Sequence, residues 1–311
     1  MNVLSLFDGI SCGRLALERA GIKYNEYYSS EIDGYTIQIA QKNFPNTVQL
    51  GDVSLITKNN LPQIDLLIGG SPCQGFSVAG SKLNFSDKRS RLFFEFVRLH
   101  KELKPKHFLL ENVKMKREWS DIISRYLNIE PIEINSNLVS AQNRKRLYWT
   151  DIPGITQPAD KKIFLKDVLE KNVTDVKFGI SLDTVQRCDI EKFRHTGVSQ
   201  VMFTERRTEE AKRIRREYQQ LYKRDFCPRR AKELVPRTDG KSNCLTTSLT
   251  KEHILLDELQ NFRFPTPLEC ERLQTLPDNY TEFEGISNNQ RYKMIGNGWT
   301  VDVIAHIFSF M

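Results

Sequence analysis

The stretch IDLLIGGSPCQGFS ends an apolar run on two glycines and then places Cys73 between a proline and a glutamine. A cysteine attacks only as its thiolate. Residue type alone leaves two readings open, a nucleophile presented at the end of a buried strand or a small residue in a turn. A second set points to a ligand. LFDGISCG puts Gly9 and Gly13 in the turn between a strand and a helix. There the backbone can approach a ligand and the helix N-terminus favours an anionic group. Glu31 follows 18 residues after Gly13 and suits a ribose-hydroxyl acceptor, while Asp52 in GDV suits an adenine amino group. The trio predicts an adenosine-containing cofactor.

These residues need a scaffold, and the first 150 residues supply the pattern of one. NVLSLF, EYYSSEI, VQLGDV, IDLLIGG and HFLLENV read as strands one to five. Helical patterns alternate with them at 14–20, 34–43, SRLFFEFVRLHKEL and 119–127, and IEPIEINSNLV with RKRLYWTDI reads as a strand pair. Such alternation predicts a parallel sheet covered on both faces, with ligands beyond the carboxyl ends of its strands. Phe7 and Gly9, Glu31, Asp52, Pro72 and Cys73, and Glu111 with Asn112 all fall at those ends. After Pro153 the chain turns polar and basic, with one helical pattern in RRTEEAKRIRREYQQLYKRDF. Its Ala211, Ile214, Tyr218, Leu221 and Tyr222 recur at helical spacing and predict a packing face. FPTPLECERLQTLP, NNQRYKMIGNG and TVDVIAHIFSF read as amphipathic helices able to return to the first domain.

Bulk properties narrow the function classes. The net charge is +7, and residues 203–237 hold 12 Lys/Arg against 6 Asp/Glu. A basic excess of this kind draws polyanions, of which nucleic acid is the commonest, although a solvated helix face has the same composition. Cys12, Cys73, Cys188, Cys227, Cys244 and Cys270 are scattered without a CxxC pair, which argues against zinc or a disulfide framework. No apolar run approaches the roughly 20 residues of a membrane span. The N-terminus lacks the pattern of a signal peptide, so a cytoplasmic protein without metal or membrane contact is expected.

The motifs SPCQGFS, ENV at 111–113 and QNRKR at 142–146 occur in an order and spacing that resembles the cytosine-C5 DNA methyltransferases. LFDGISCGRLAL is similar to the cofactor loop of that family, LECERLQTLPDNY to its late helix motif, and IGNG at 295–298 to its closing asparagine motif. The resemblance covers about residues 1–155 and 262–311. Ser11 and Cys12 stand where many bacterial members have a glycine pair, and Trp299 where a small aliphatic residue is usual. In both respects the chain looks like the animal de novo-type branch.

The resemblance implies an α/β, Rossmann-like S-adenosylmethionine-dependent methyltransferase fold with a smaller target-recognition domain. It divides the chain into a catalytic and cofactor-binding domain (1–155), a target-recognition domain (156–260) and a C-terminal segment returning to the first (261–311). It implies that Cys73 adds to C6 of a flipped-out cytosine and that Glu111 meets N3 and the exocyclic amine. Arg144 and Arg146 would hold the base carbonyl, Arg144 also easing thiolate formation. S-adenosylmethionine would be bound by Phe7, Asp8, Gly9, Ile10, Glu31, Ile32, Asp52, Val53, Ser71, Pro72, Leu92, Asn297, Gly298 and Trp299. Double-stranded DNA would meet Gln74, Ser77, Arg229, Arg230, Arg237 and Thr246. A monomer beside a cognate restriction endonuclease is the expected setting. Three rivals stay open: a tRNA methyltransferase, whose branch carries a Cys-Phe-Thr signature absent here, a catalytically silent binding protein, and a nicotinamide-dependent oxidoreductase.

Overall fold

The computed structural model describes residues 1–71, 91–181, 185, 190, 193–224, 226, 232–249 and 251–311. Seven strands form one sheet in the order β3-β2-β1-β4-β5-β7-β6. They are β1 (Val3–Leu6), β2 (Tyr27–Ser30), β3 (Val48–Gln49), β4 (Leu66–Gly70), β5 (His107–Val113), β6 (Ile132–Asn135) and β7 (Lys145–Thr150). The pairs among β1–β5 are parallel, while β7 runs antiparallel to both β5 and β6. The expected third strand shrinks to Val48–Gln49, and the residues after it turn into a short 3-10 helix capped by Asp52. Because β1 lies between β2 and β4, the strand order reverses there, and a crevice opens beyond their carboxyl ends.

Alternate residues feed two cores. Val3, Leu66, Ile68 and Leu109 pack with α1 (Cys12–Arg19) and α8 (Val301–Phe308) on one face. Leu4, Leu67, Phe108 and Leu110 pack with α3 (Arg91–Leu103) and α4 (Arg117–Leu127) on the other. This period of two in strands buried on both faces is what the continuous apolar runs predict. Helix α2 (Gly34–Asn43) starts on Asp33, whose side chain accepts from the N–H groups of Tyr35 and Thr36. The C-terminal helix α8 does return to α1, where Arg19 meets Asp302 at 2.6 Å.

A second sheet, ordered β11-β10-β8-β9, is antiparallel throughout. It comprises β8 (Val201–Arg207), β9 (Lys232–Pro236), β10 (Leu255–Leu256) and β11 (Phe262–Arg263), and it buries Phe203, Leu234, Leu256 and Phe262. Helix α5 (Glu209–Tyr222) follows β8, with Thr208 as N-cap accepting from Ala211 N–H at 3.1 Å. Arg206 and Arg207, read as helical from sequence, are strand residues. The expected packing face holds in part: Ala211 is buried and Ile214 and Tyr218 are half-buried, but Leu221 is 74% exposed and Tyr222 60%.

Helices α6 (Pro267–Leu273) and α7 (Asn288–Asn297) each begin with a capping box, Thr266/Glu269 and Ser287/Gln290. Glu269 also takes a bidentate contact from Arg263 at 2.7 and 2.8 Å, with both side chains buried, and so ties β11 to α6. Asp257 at 3.2 Å still meets Arg263 when Glu269 is removed, but two guanidinium donors and the N–H groups of Thr266 and Glu170 lose their acceptor. Glu269→Ala is therefore expected to cost about 3–5 kcal/mol in urea unfolding, whereas Leu221→Ser should stay within about 0.5 kcal/mol. Equal losses in the two variants would show that the burial of the pair has been misjudged.

Candidate active site

The cofactor loop after β1 is held by Asp8. Its carboxylate accepts from Ser11 Oγ at 2.6 Å, Tyr27 Oη at 2.7 Å and Ser29 Oγ at 3.0 Å. Burial raises its pKa, and these hydroxyls oppose the shift. Asp8 thus braces the loop from inside. Phe7, Gly9 and Ser11 have φ of 56°, 61° and 59°, so the loop alternates through left-handed backbone. Only glycine adopts this at no steric cost. Glu31, at the end of β2, accepts from Gly9 N–H at 3.0 Å and from the N–H groups of Ile32 and Asp33 at 2.8 and 2.9 Å. A carboxylate has about four acceptor positions, so roughly one remains for a ribose hydroxyl.

The other expected cofactor residues divide between ligand edge and core. Ile32 is 77% exposed, an uncovered apolar surface beside Glu31. Asp52 is exposed, its Oδ1 taken by Ser54 N–H and Oγ. Phe7 and Leu92 are half-buried. Ile10 and Val53 are spent on the two cores, so their side chains are not ligand surface. Ser71 is tied down by Asn112, whose Nδ2 donates to its Oγ at 3.0 Å. Asn297 is exposed at the end of α7 and Gly298 is buried. Pro72, Cys73, Gln74, Ser77, Arg229 and Arg230 lie outside the described residues.

Glu111, at the end of β5, is 8% exposed. Arg146 Nε lies 2.9 Å from its Oε1, and Trp299 Nε1 donates to its Oε2 at 3.1 Å. Arg144 is different. Its Nη1 donates to Leu245 O at 3.0 Å, and its Nη2 to Gly296 O and Gly298 O at 3.1 and 2.9 Å. With its terminal nitrogens on main-chain carbonyls and 4% exposure, it clamps the fold and does not reach for a base. Arg237 needs a similar correction. It pairs with Asp239 through two nitrogens and donates to Asn243 Oδ1 at 2.7 Å, which occupies the fork expected to read DNA. Thr246 is exposed and donates to Ser248 O at 2.7 Å.

A profile of the C-5 cytosine-specific DNA methylases matches residues 1–311. The chain belongs to that family. The type II methyltransferase M1.ScrFI of Lactococcus lactis subsp. cremoris is 31% identical across 97% of this chain and 76% of its own length. The orphan methyltransferase M.SPRI of Bacillus phage SPR is 39% identical over 55% of this chain, a match spanning 43% of the phage protein. In fold, the chain is similar to the S. pombe Dnmt2 methyltransferase (TM-score 0.69, 17% identity, 99% of this chain and 97% of that one). An Entamoeba histolytica methyltransferase superposes with a TM-score of 0.67 at 19% identity, covering 100% of this chain and 97% of its own.

Within this family member, the two departures in the cofactor loop have structural tasks. Ser11 braces Asp8, and the thiol of Cys12 is core, pushed up to about 12 by burial. One residue was missed from the sequence. Cys244 Sγ lies 3.4 Å from Arg144 Nη1 and 3.7 Å from Arg146 Nη2. Burial opposes its ionisation, but the two guanidiniums outweigh it, and its pKa falls below the ordinary thiol value. Its place two residues before Thr246, which is expected to meet DNA, was the available signal.

Two measurements follow. Iodoacetamide at pH 8, read by mass spectrometry, should label Cys244 before Cys12 and Cys270, since burial raises both of those thiols. Equal labelling would remove the electrostatic account. The second concerns Gly296, where a Cβ would come within 2.1 Å of Thr246 O. Alanine in a helix normally gains up to about 1 kcal/mol over glycine. Here the clash is with main chain, so Gly296→Ala should lose about 1–3 kcal/mol and lower Tm. A raised Tm would show that residues 246–247 move aside freely.

Proposed function

We propose that this chain methylates C5 of a flipped-out cytosine in a short double-stranded DNA site, using S-adenosylmethionine and a covalent cysteine–C6 adduct. One observation carries the reading. At the carboxyl edge of the sheet, a buried carboxylate, Glu111, is paired with Arg146 beside the Cys244–Leu245 segment, while Asn112 anchors Ser71, two residues before Cys73.

The fit to the cofactor rests on the loop geometry. The left-handed backbone at Gly9, the acceptor remaining on Glu31 and the exposed Ile32 suit the amino-acid end, ribose and adenine of S-adenosylmethionine. When bound, it supplies a methyl group on a positively charged sulfur. The chain's own residues prepare the base. Addition of the Cys73 thiolate to C6 gives C5 the electron density it lacks, and Glu111 delivers a proton at N3 so that ring charge does not accumulate. Of the five N–H donors on Arg146, three are engaged among the described residues, and the others would be offered to the base carbonyl. Return of the N3 proton to Glu111, loss of the C5 proton to water and release of the Cys73 thiolate then restore the aromatic ring.

We further propose residues 156–260 as the target-recognition unit, in a monomer working in the cytoplasm beside a cognate restriction endonuclease. Arg206, Arg207, Lys212, Arg215 and Arg216 line one groove along the end of β8 and α5 together with Glu205, Glu209 and Glu233, a lining with a net positive charge that would draw phosphates. The test is transfer of labelled methyl to unmethylated duplex DNA and to unmodified tRNA, with Cys73→Ser beside the wild type. Label is expected in 5-methylcytosine of DNA and should fall at least about 1,000-fold in the variant. Label in tRNA alone would move the substrate to RNA. No transfer to either, with DNA binding intact, would leave a binding protein.

A further inference from the structure

Trp299 entered as a wall of the cofactor site, yet its indole N–H is directed at Oε2 of Glu111 while Arg146 takes Oε1. Building on the proposed role of Glu111, we propose that Trp299 is a positioning residue that fixes the plane of this carboxylate for proton delivery to the base. The backbone around it is arranged for that contact. Gly70 is the register partner of Glu111, and a Cβ there would lie 2.8 Å from Trp299 Nε1 and 3.2 Å from Glu111 Oε2. The missing side chain is what admits the pair. A Cβ on Gly13 would meet Trp299 Cζ3 at 3.3 Å, so a second glycine borders the ring. The main chain that leads into Trp299 is held from below. Arg144 Nη2 and Gln274 Nε2 both donate to Gly298 O, at 2.9 and 3.0 Å. An ion pair alone leaves a carboxylate free to rotate about its last bond, and a second donor on the other oxygen removes that freedom.

Trp299→Phe keeps the ring and deletes the donor. If the indole positions Glu111, kcat for methyl transfer to DNA falls by roughly ten-fold or more, as for loss of one hydrogen bond to a charged group. KM for S-adenosylmethionine should then change by less than about three-fold. A purely cofactor-lining residue would instead raise KM and leave kcat in place, and that result overturns the proposal. An independent readout uses the three tryptophan indole N–H resonances in a 1H–15N spectrum, with that of Trp299 assigned by its loss in Trp299→Phe. Glu111→Gln should move this resonance upfield; an unchanged position overturns the proposal whether or not the wild type methylates DNA. Absence of methyl transfer by the wild type with the resonance shifted would refute the enzymatic reading alone.

Discussion

A guanidinium buried to 4% exposure has to be met by acceptors, and Arg144 meets them on segments 101, 152 and 154 residues away. Leaving a buried charge without partners costs several kcal/mol, more than any single surface contact can return. The constraint therefore acts on the partners. The segment at 244–245 and the end of α7 must both lie on the edge of the seven-stranded sheet for the chain to be stable. Gln142, fully buried, repeats the pattern with neutral groups. It accepts from Leu245 N–H at 2.8 Å and donates to Leu273 O and Gln274 Oε1 at 3.0 and 3.1 Å. QNRKR is thus a fastening, with Arg144 turned to main-chain carbonyls and Arg146 to the Glu111 carboxylate.

What was legible followed from local physics. A strand buried on both faces reads as an apolar run, and such runs alternating with helical patterns bring their carboxyl ends to one edge, where Glu31, Asp52, Ser71 and Glu111 are found. What was illegible depended on distant partners. Arg144 and Arg146 have the same side chain two positions apart, and only the residues that pack over them separate a clamp on main-chain carbonyls from the partner of Glu111. The bracing by Asp8 is hidden in sequence for the same reason, because its three hydroxyl partners include Tyr27 and Ser29 on β2. Arg237 is nearer to being readable, since Asp239 stands two residues on in a turn. For α5 the periodicity correctly marks an apolar stripe, but amphipathicity does not say how much of a helix has something to pack against.

The Asp8 network also bears on how the cofactor edge keeps its shape. Two non-glycine residues in left-handed backbone, Phe7 and Ser11, cost about 1–2 kcal/mol each, and a flexible loop would relax out of them. Buried hydroxyls converging on Asp8 offset that cost, and Glu31 takes the Gly9 N–H from the opposite side. A ligand entering the crevice then finds its donors and acceptors already placed, so less ordering entropy is lost on binding.

The same logic reaches the reacting groups. One oxygen of Glu111 belongs to Arg146 on β7, the other to Trp299 beyond α7, and Arg146 in turn lies against Cys244 from the segment before β10. Strands β5 and β7, the segment at Cys244 and the turn at Trp299 thus meet around one ion pair. None of them can shift without altering the carboxylate's surroundings. The step from Cys244 to Arg146 spans 3.7 Å and those onto Glu111 2.9 and 3.1 Å, so a shift of an ångström in the 241–249 segment is enough to alter the surroundings of the carboxylate.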